Sequence, residues 1–194
     1  MNDATTIVSA ILDEHLEVAR VSRAALAPDV AALATQLIET FGQGGRLLVF
    51  GNGGSAADAQ HLAGELTGHF ARERRPLPVL ALTTDTSVLT ATANDYAYDA
   101  VFSRQVAAHV RAGDVVLGIS TSGRAASVIA GVEVARAAGA HTWVLTGASG
   151  GRLADAAEHA IRVPSEVTAR VQEMHITIIH AISELVDAWA AGET

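Results

Sequence analysis

Leu47-Leu48-Val49-Phe50-Gly51-Asn52-Gly53-Gly54-Ser55 sets a short, wholly apolar run directly against a glycine-rich turn. The run has no polar alternation, which is the pattern of a strand buried on both faces of a parallel sheet. The same arrangement recurs at Val115-Val116-Leu117-Gly118-Ile119, followed by Ser120-Thr121-Ser122-Gly123. Further apolar runs at 79–82, 142–145 and 160–163 bring the strands to five. Between them the spacing predicts helices over 55–70, 98–110, from 123 to 138, 151–157 and 167–190, with a helical or irregular stretch at 86–93. Parallel neighbours need such crossovers, so the chain reads as an α/β domain with a doubly wound, five-stranded parallel sheet flanked by helices.

Upstream of the first strand, Ile7, Ile11, Val18 and Val21 give an amphipathic helix over 5–26. Pro28 predicts a break, and Asp29 starts a second helix that carries Leu33, Leu37 and Ile38. Gly42, Gly44 and Gly45 then end it. Residues 1–42 are thus expected to supply two extra N-terminal helices, and 43–194 the α/β core, of a single domain. There is no internal repeat and no linker long enough to divide it.

Composition narrows the chemistry. The chain of 194 residues has no cysteine, which excludes thiol nucleophiles and thiolate metal sites. It has no lysine either, which excludes Schiff-base catalysis and a Walker-type phosphate site. Any phosphate must be held by backbone amides, hydroxyls or arginine. A net charge of −8 argues against direct nucleic-acid binding. The one basic cluster, Arg72, Arg74 and Arg75, reads as a solvated surface turn. No apolar run reaches the roughly 18 residues of a membrane span, and Met1-Asn2-Asp3-Ala4 does not open a signal peptide, so a cytoplasmic protein is expected.

In doubly wound sheets ligands bind beyond the carboxyl ends of the strands, where both loops fall. Gly51–Ser55 offers backbone amides at a helix start, and Ser120-Thr121-Ser122 offers three hydroxyls. Each is also what a plain capped strand-to-helix turn looks like. Two of them at equivalent places point to a phosphorylated small ligand. On the helix after the first loop, His61 and Glu65 are four apart and share a face. That spacing suits two ligands of one metal, a carboxylate base beside a histidine, or an ordinary surface contact. The last helix places Gln172, Glu173, His175 and His180 among apolar residues. Gln172 and His180 lie about 12 Å apart along an ideal helix, which makes a shared ion a long reach. His15, His69, His109, His141, His159 and His175 read as partnered structural histidines.

Taken together these segments resemble the phosphoheptose isomerases of the SIS (sugar isomerase) class. The resemblance is carried by Gly51-Asn52-Gly53-Gly54-Ser55, Asp58-Ala59-Gln60-His61, Glu65-Leu66-Thr67-Gly68, Asn94-Asp95, the run Gly113–Gly123, and Gln172-Glu173-Met174-His175 through His180. It spans about residues 40–188. It implies a homotetramer of SIS domains, with the N-terminal helices in oligomer packing, that converts sedoheptulose 7-phosphate to glycero-manno-heptose 7-phosphate through an enediol. By the same resemblance Glu65 is the base and His180 the acid. His61, Glu65, Gln172 and His180 form the zinc set, one ion per subunit. Asn52, Gly53, Gly54, Ser55, Glu65, Asn94, Asp95, Ser120, Thr121, Ser122 and Gln172 contact the sugar phosphate.

Two departures stand out. Arg124-Ala125 replaces a small hydroxyl residue of the phosphate loop, and Arg124 is expected to supply the lost contact. Thr168-Ala169-Arg170-Val171 lacks an aspartate often found there. Parts of the chain, notably 82–91 and 169–175, are also similar to the DnaA-binding SIS proteins, a non-catalytic branch that lacks the glutamate and histidine present here as Glu65 and His180. A binding scaffold, and an isomerase or sensor for another sugar phosphate, are the alternatives.

Overall fold

The computed structural model describes residues 3–193. In chain order the elements are α1 (Ala4–Gly42), β1 (Leu47–Gly51), α2 (Gly54–Thr67), β2 (Val79–Ala81), α3 (Thr86–Asp95), a 3-10 turn (Tyr98–Ala100) and α4 (Val101–His109). Then follow β3 (Val115–Ile119), α5 (Ala126–Ala137), β4 (His141–Thr146), α6 (Gly151–Ala156), β5 (His159–Arg162) and α7 (Thr168–Ala190). The five strands form one all-parallel sheet in the order β2-β1-β3-β4-β5.

The sheet separates two cores, because alternate residues of a strand point to opposite faces. Leu47, Val49, Val115, Leu117, Ile119, Trp143 and Leu145 face α1, α2 and α7, packing on Leu33, Leu37, Leu62, Ile178 and Ile182. Leu48, Phe50, Val116 and Val144 face α4, α5 and α6, packing on Phe102, Val106, Val128 and Leu153. Burial on both sides is the physical reason the central strands β1, β3 and β4 are largely apolar runs.

One expectation is corrected and others are refined. The N-terminal segment is one helix of 39 residues with Pro28 inside it, not two. Pro28 lies on the exposed side, while Leu26, Val30, Leu33 and Leu37 hold the helix from the other, and that packing offsets the one lost hydrogen bond. The stretch 86–93 is a regular helix extended to Asp95, with the Asp85 side chain accepting the Val88 N–H as its N-cap. The predicted helix 98–110 divides into the 3-10 turn and α4, and the helix after Gly123 begins at Ala126.

Chain connectivity leaves β1 toward β2 on one side, while β3 pairs with β1 on the other. This is a switch point, where the loops after adjacent parallel strands diverge and open a crevice. Gly51 pairs with Ile119 in the ladder, so the Gly51–Ser55 and Ser120–Gly123 loops emerge side by side.

Candidate active site

The crevice after β1 and β3 is a cavity of about 210 Å³ lined by Asn52, Ser55, Ser120, Thr121, Ser122 and Ala125. Both predicted phosphate loops meet here. Gly53 turns with φ 56°, a conformation that favours glycine, and so lets α2 begin at Gly54, beside the crevice that Asn52 and Ser55 line. Asn52 is fixed in orientation: its Nδ2 donates to Ser127 Oγ at 3.0 Å, and its Oδ1 accepts from the Tyr98 hydroxyl at 2.8 Å. Arg124 donates its backbone N–H to Ser122 Oγ, and its side chain is exposed. Asn94 and Asp95 bond each other at 2.8 Å on the exposed end of α3 and do not line this cavity.

From Ser55 a polar line runs down α2 through Asp58, His61 and Glu65. The spacings of three, three and four residues keep them on one face over about 15 Å of helix rise. Asp58 is buried, and burial pushes its carboxyl above the ordinary range against the lowering effect of the Gln172 amide and of His61. Gln172 Nε2 donates to Asp58 Oδ2 at 3.3 Å. Its side chain lies so close over Gly54 that a Cβ there would push the Gln172 amide aside.

At the lower end three ligand atoms converge. His61 Nε2 is 3.0 Å from Glu65 Oε1 and 3.0 Å from His180 Nε2. One donor atom of each of the three residues lies within 4.8 Å of the others. Two imidazole nitrogens at that separation share at most one proton, and the same His61 nitrogen also faces a carboxylate oxygen. Lone pairs crowded in this way suit a divalent cation, and two histidines with one carboxylate are a familiar donor set for it. Gln172 is drawn to Asp58 instead, one turn of α2 away from His61. It still shares with Asp58, His61, Ala169 and Glu173 a groove of about 420 Å³ beside the cluster. The ring of Phe70 lies 5.8 Å from that of His180.

The other histidines divide. His175 is fully buried, its Nε2 bonded to the Thr146 carbonyl at 3.3 Å, and burial lowers its pKa to about 4. His15 bridges α1 to α7 through Glu173, Nδ1 to Oε2 at 2.7 Å. The buried Arg170 completes that bridge, donating to Glu173 Oε1 and to the Ile11 carbonyl, each at 2.6 Å.

The solvated-turn reading of Arg72, Arg74 and Arg75 is corrected at Arg74, whose side chain is fully buried against Asp187. A basic run in sequence carries no mark of which member turns inward. Sequence reasoning also missed Asp58 and Tyr98 as neighbours of the site. Asp58 was within reach, being one turn before His61 on the same face. Tyr98 left no signal, because its contact with Asn52 joins distant segments.

The chain is similar to known proteins over most of its length. Residues 12–147 match the SIS domain family model. The chain is 53% identical over 176 residues to the phosphoheptose isomerase of Roseiflexus sp. (strain RS-1), covering 91% of this chain and 89% of that one. It is 53% identical over 158 residues to a probable phosphoheptose isomerase of Thermoplasma acidophilum, covering 81% and 87%. Among solved structures, phosphoheptose isomerase GmhA from Neisseria gonorrhoeae superposes with a TM-score of 0.91 at 42% identity, covering 96% of this chain and 100% of that one. A phosphoheptose isomerase from Francisella tularensis gives 0.93 at 34% identity, with 95% and 98% covered. By the family model and by relatives this similar over most of both chains, the chain belongs to the phosphoheptose isomerases of the SIS domain family.

Proposed function

We propose that the protein interconverts sedoheptulose 7-phosphate and D-glycero-D-manno-heptose 7-phosphate, with Glu65 and His180 as its catalytic residues. The observation that carries this is the convergence of His61, Glu65 and His180 at the far end of a helix whose start lines the phosphate crevice. The phosphate is held by the amides of Gly53 and Gly54 and by the hydroxyls of Ser55, Ser120, Thr121 and Ser122. Arg124, exposed at the rim, adds a charge-assisted contact in place of the missing hydroxyl residue. Asn52, Gln172, Asn94 and Asp95 contact the sugar, the last two acting where copies of the chain meet. The sugar then lies along α2, and its carbonyl end reaches the cluster.

There Glu65 takes a proton from the carbon next to the carbonyl and returns it to the neighbouring carbon. His180 donates to, and later accepts from, the oxygens of the enediol. His61, Glu65 and His180, with Gln172, would hold a zinc ion that supplies charge stabilisation to those oxygens when bound. Glu65 and His180 are also the two positions that the DnaA-binding branch lacks, and their convergence favours the enzyme over the scaffold. We further propose a homotetramer built through α1, working in the cytoplasm on a phosphorylated metabolite.

The test is to follow aldose formation from sedoheptulose 7-phosphate by NMR, with and without added zinc. Turnover is expected, with kcat reduced at least about 10²-fold in Glu65→Gln and in His180→Gln. Arg124→Ala is expected to raise KM with kcat little changed. Absence of turnover in the folded protein under both metal conditions would sink the heptose assignment.

A further inference from the structure

Arg74 and Asp187 are both fully buried and meet at 2.8 Å, Nε to Oδ1. Nothing in the chemistry above uses them, yet three of the hydrogen bonds they make end on the last turn and cap of α2, where Glu65 sits, and most of the others on the loop that follows. The Arg74 guanidinium closes the end of α2. Nη2 donates to the carbonyl of Glu65 itself at 2.8 Å, and Nη1 to those of Leu66 at 2.9 Å and Gly68 at 2.8 Å. These are the orphan carbonyls of a helix C-terminus, where a cation also meets the favourable end of the helix dipole. The Asp187 carboxylate gathers the chain that follows, accepting from the N–H groups of Phe70 at 3.4 Å, Ala71 at 3.1 Å and Arg72 at 2.9 Å. Phe70 is the residue whose ring lies against His180.

Asp187 also stands seven residues after His180 on α7, about two turns along the same face. The pair therefore ties the last turn of α2, where Glu65 sits, to the helix that carries His180. A buried ion pair is weak evidence for stability alone, since well-packed apolar residues often serve as well. Positioning is where such a fixed, many-armed contact has an effect that apolar packing lacks.

Resting on the reading of Glu65 and His180 as the reacting groups, we infer that Arg74 and Asp187 are positioning residues of the isomerase, holding the Glu65 turn and the Phe70 ring in register with His180. Their loss acts on the chemical step and leaves substrate capture nearly alone, because the phosphate crevice lies at the other end of α2. A misplacement on the order of 1 Å suffices to lower a rate about 10²-fold.

The experiment measures kcat, KM and melting temperature for Arg74→Lys, Arg74→Met and Asp187→Asn, each assayed well below its own melting point. Asp114→Asn serves as control. Asp114 is likewise buried and accepts backbone N–H bonds from Arg46 and Arg111, but lies at the opposite end of the sheet. The expected result is kcat down about tenfold or more in the Arg74 and Asp187 variants, with KM within about twofold. Asp114→Asn is expected to lose melting temperature and keep kcat. Should Arg74→Met or Asp187→Asn fail to fold, Arg74→Lys decides, since it keeps the charge and loses the fork of donors. Unchanged kcat in a folded Arg74→Lys, or a change confined to KM, overturns the inference. A Glu65→Gln protein that still turns over overturns the reading beneath it instead, so the two failures are distinct.

Discussion

His175 stands on α7 between Gln172 and His180 and is fully buried. Burial holds its pKa near 4, and its Nε2–H is committed to the Thr146 carbonyl at the end of β4. In the unfolded chain the same imidazole titrates near the usual 6.5. The unfolded state therefore binds the extra proton between these two values, and folding stability falls as pH drops through that window. Above about pH 6.5 the contribution is fully present, and near pH 4 it has fallen by roughly 3 kcal/mol. His175→Gln keeps a donor without the titration, so its melting temperature is expected to fall less between pH 7 and 4.5 than that of the parent. Parallel curves would assign the acid sensitivity to another group. At this scale sequence legibility depended on spacing. His61 and Glu65 share a helix face by arithmetic alone, whereas the approach of His180 to His61 needs the packing of α2 on α7. Gln172 looked badly placed for a common ion with His180, and in the structure its amide goes to Asp58. Arg74 could not be read at all, because a run of arginines in a turn states charge and not direction.

At the scale of elements, the central strands were legible because burial on both faces leaves no alternation, and the ends of β1 and β3 were marked by Gly51 and Ser120. Strand order was not written in any single segment. It follows from pairing, which put β1 between β2 and β3 and so opened the crevice. The misread element is α1, where a local rule about proline lost to tertiary packing. Pro28 leaves the Ala24 carbonyl without its usual partner, at a cost of about 3 kcal/mol in an isolated helix interior. Pro28→Ala restores the donor on the exposed side and is expected to stabilise the protein by about 1–3 kcal/mol, raising the melting temperature by several degrees. Thermal unfolding by circular dichroism checks it. An unchanged or lowered midpoint would mean that a bend at Pro28 is what seats Leu26 and Val30 on α7.

For the whole molecule, α1 poses the question that one copy of the chain does not answer. Its second half buries one face between Ser22 and Phe41, but Ile7, Val8, Ile11, Leu12 and Leu16 are 45–64% exposed along its first half. Beside them a groove of about 370 Å³ between α1 and α7 is walled by Leu26, Val30, Met174, Ile178 and Leu185. Helices this long are held by burying an apolar face, and covering five such side chains is worth on the order of 5–10 kcal/mol per copy. In the proposed homotetramer a second copy of the chain would cover it, and the contact would reach the active site. Ile11 accepts from Arg170, and His15 bonds Glu173, the neighbour of Gln172 in the groove beside His61. Leu12→Glu and Leu16→Glu place charge on the exposed face without touching the core of one copy. Sedimentation velocity is expected to show the assembly dissociating in the double variant, and kcat/KM to fall at least about tenfold with it, because the α1 bridge to Glu173 loosens and Asn94 and Asp95 lose their neighbouring copy. An intact assembly would move the interface off α1. Separated copies with full activity would leave α1 as the interface but make each copy's site complete in itself, against the proposed roles of Asn94 and Asp95.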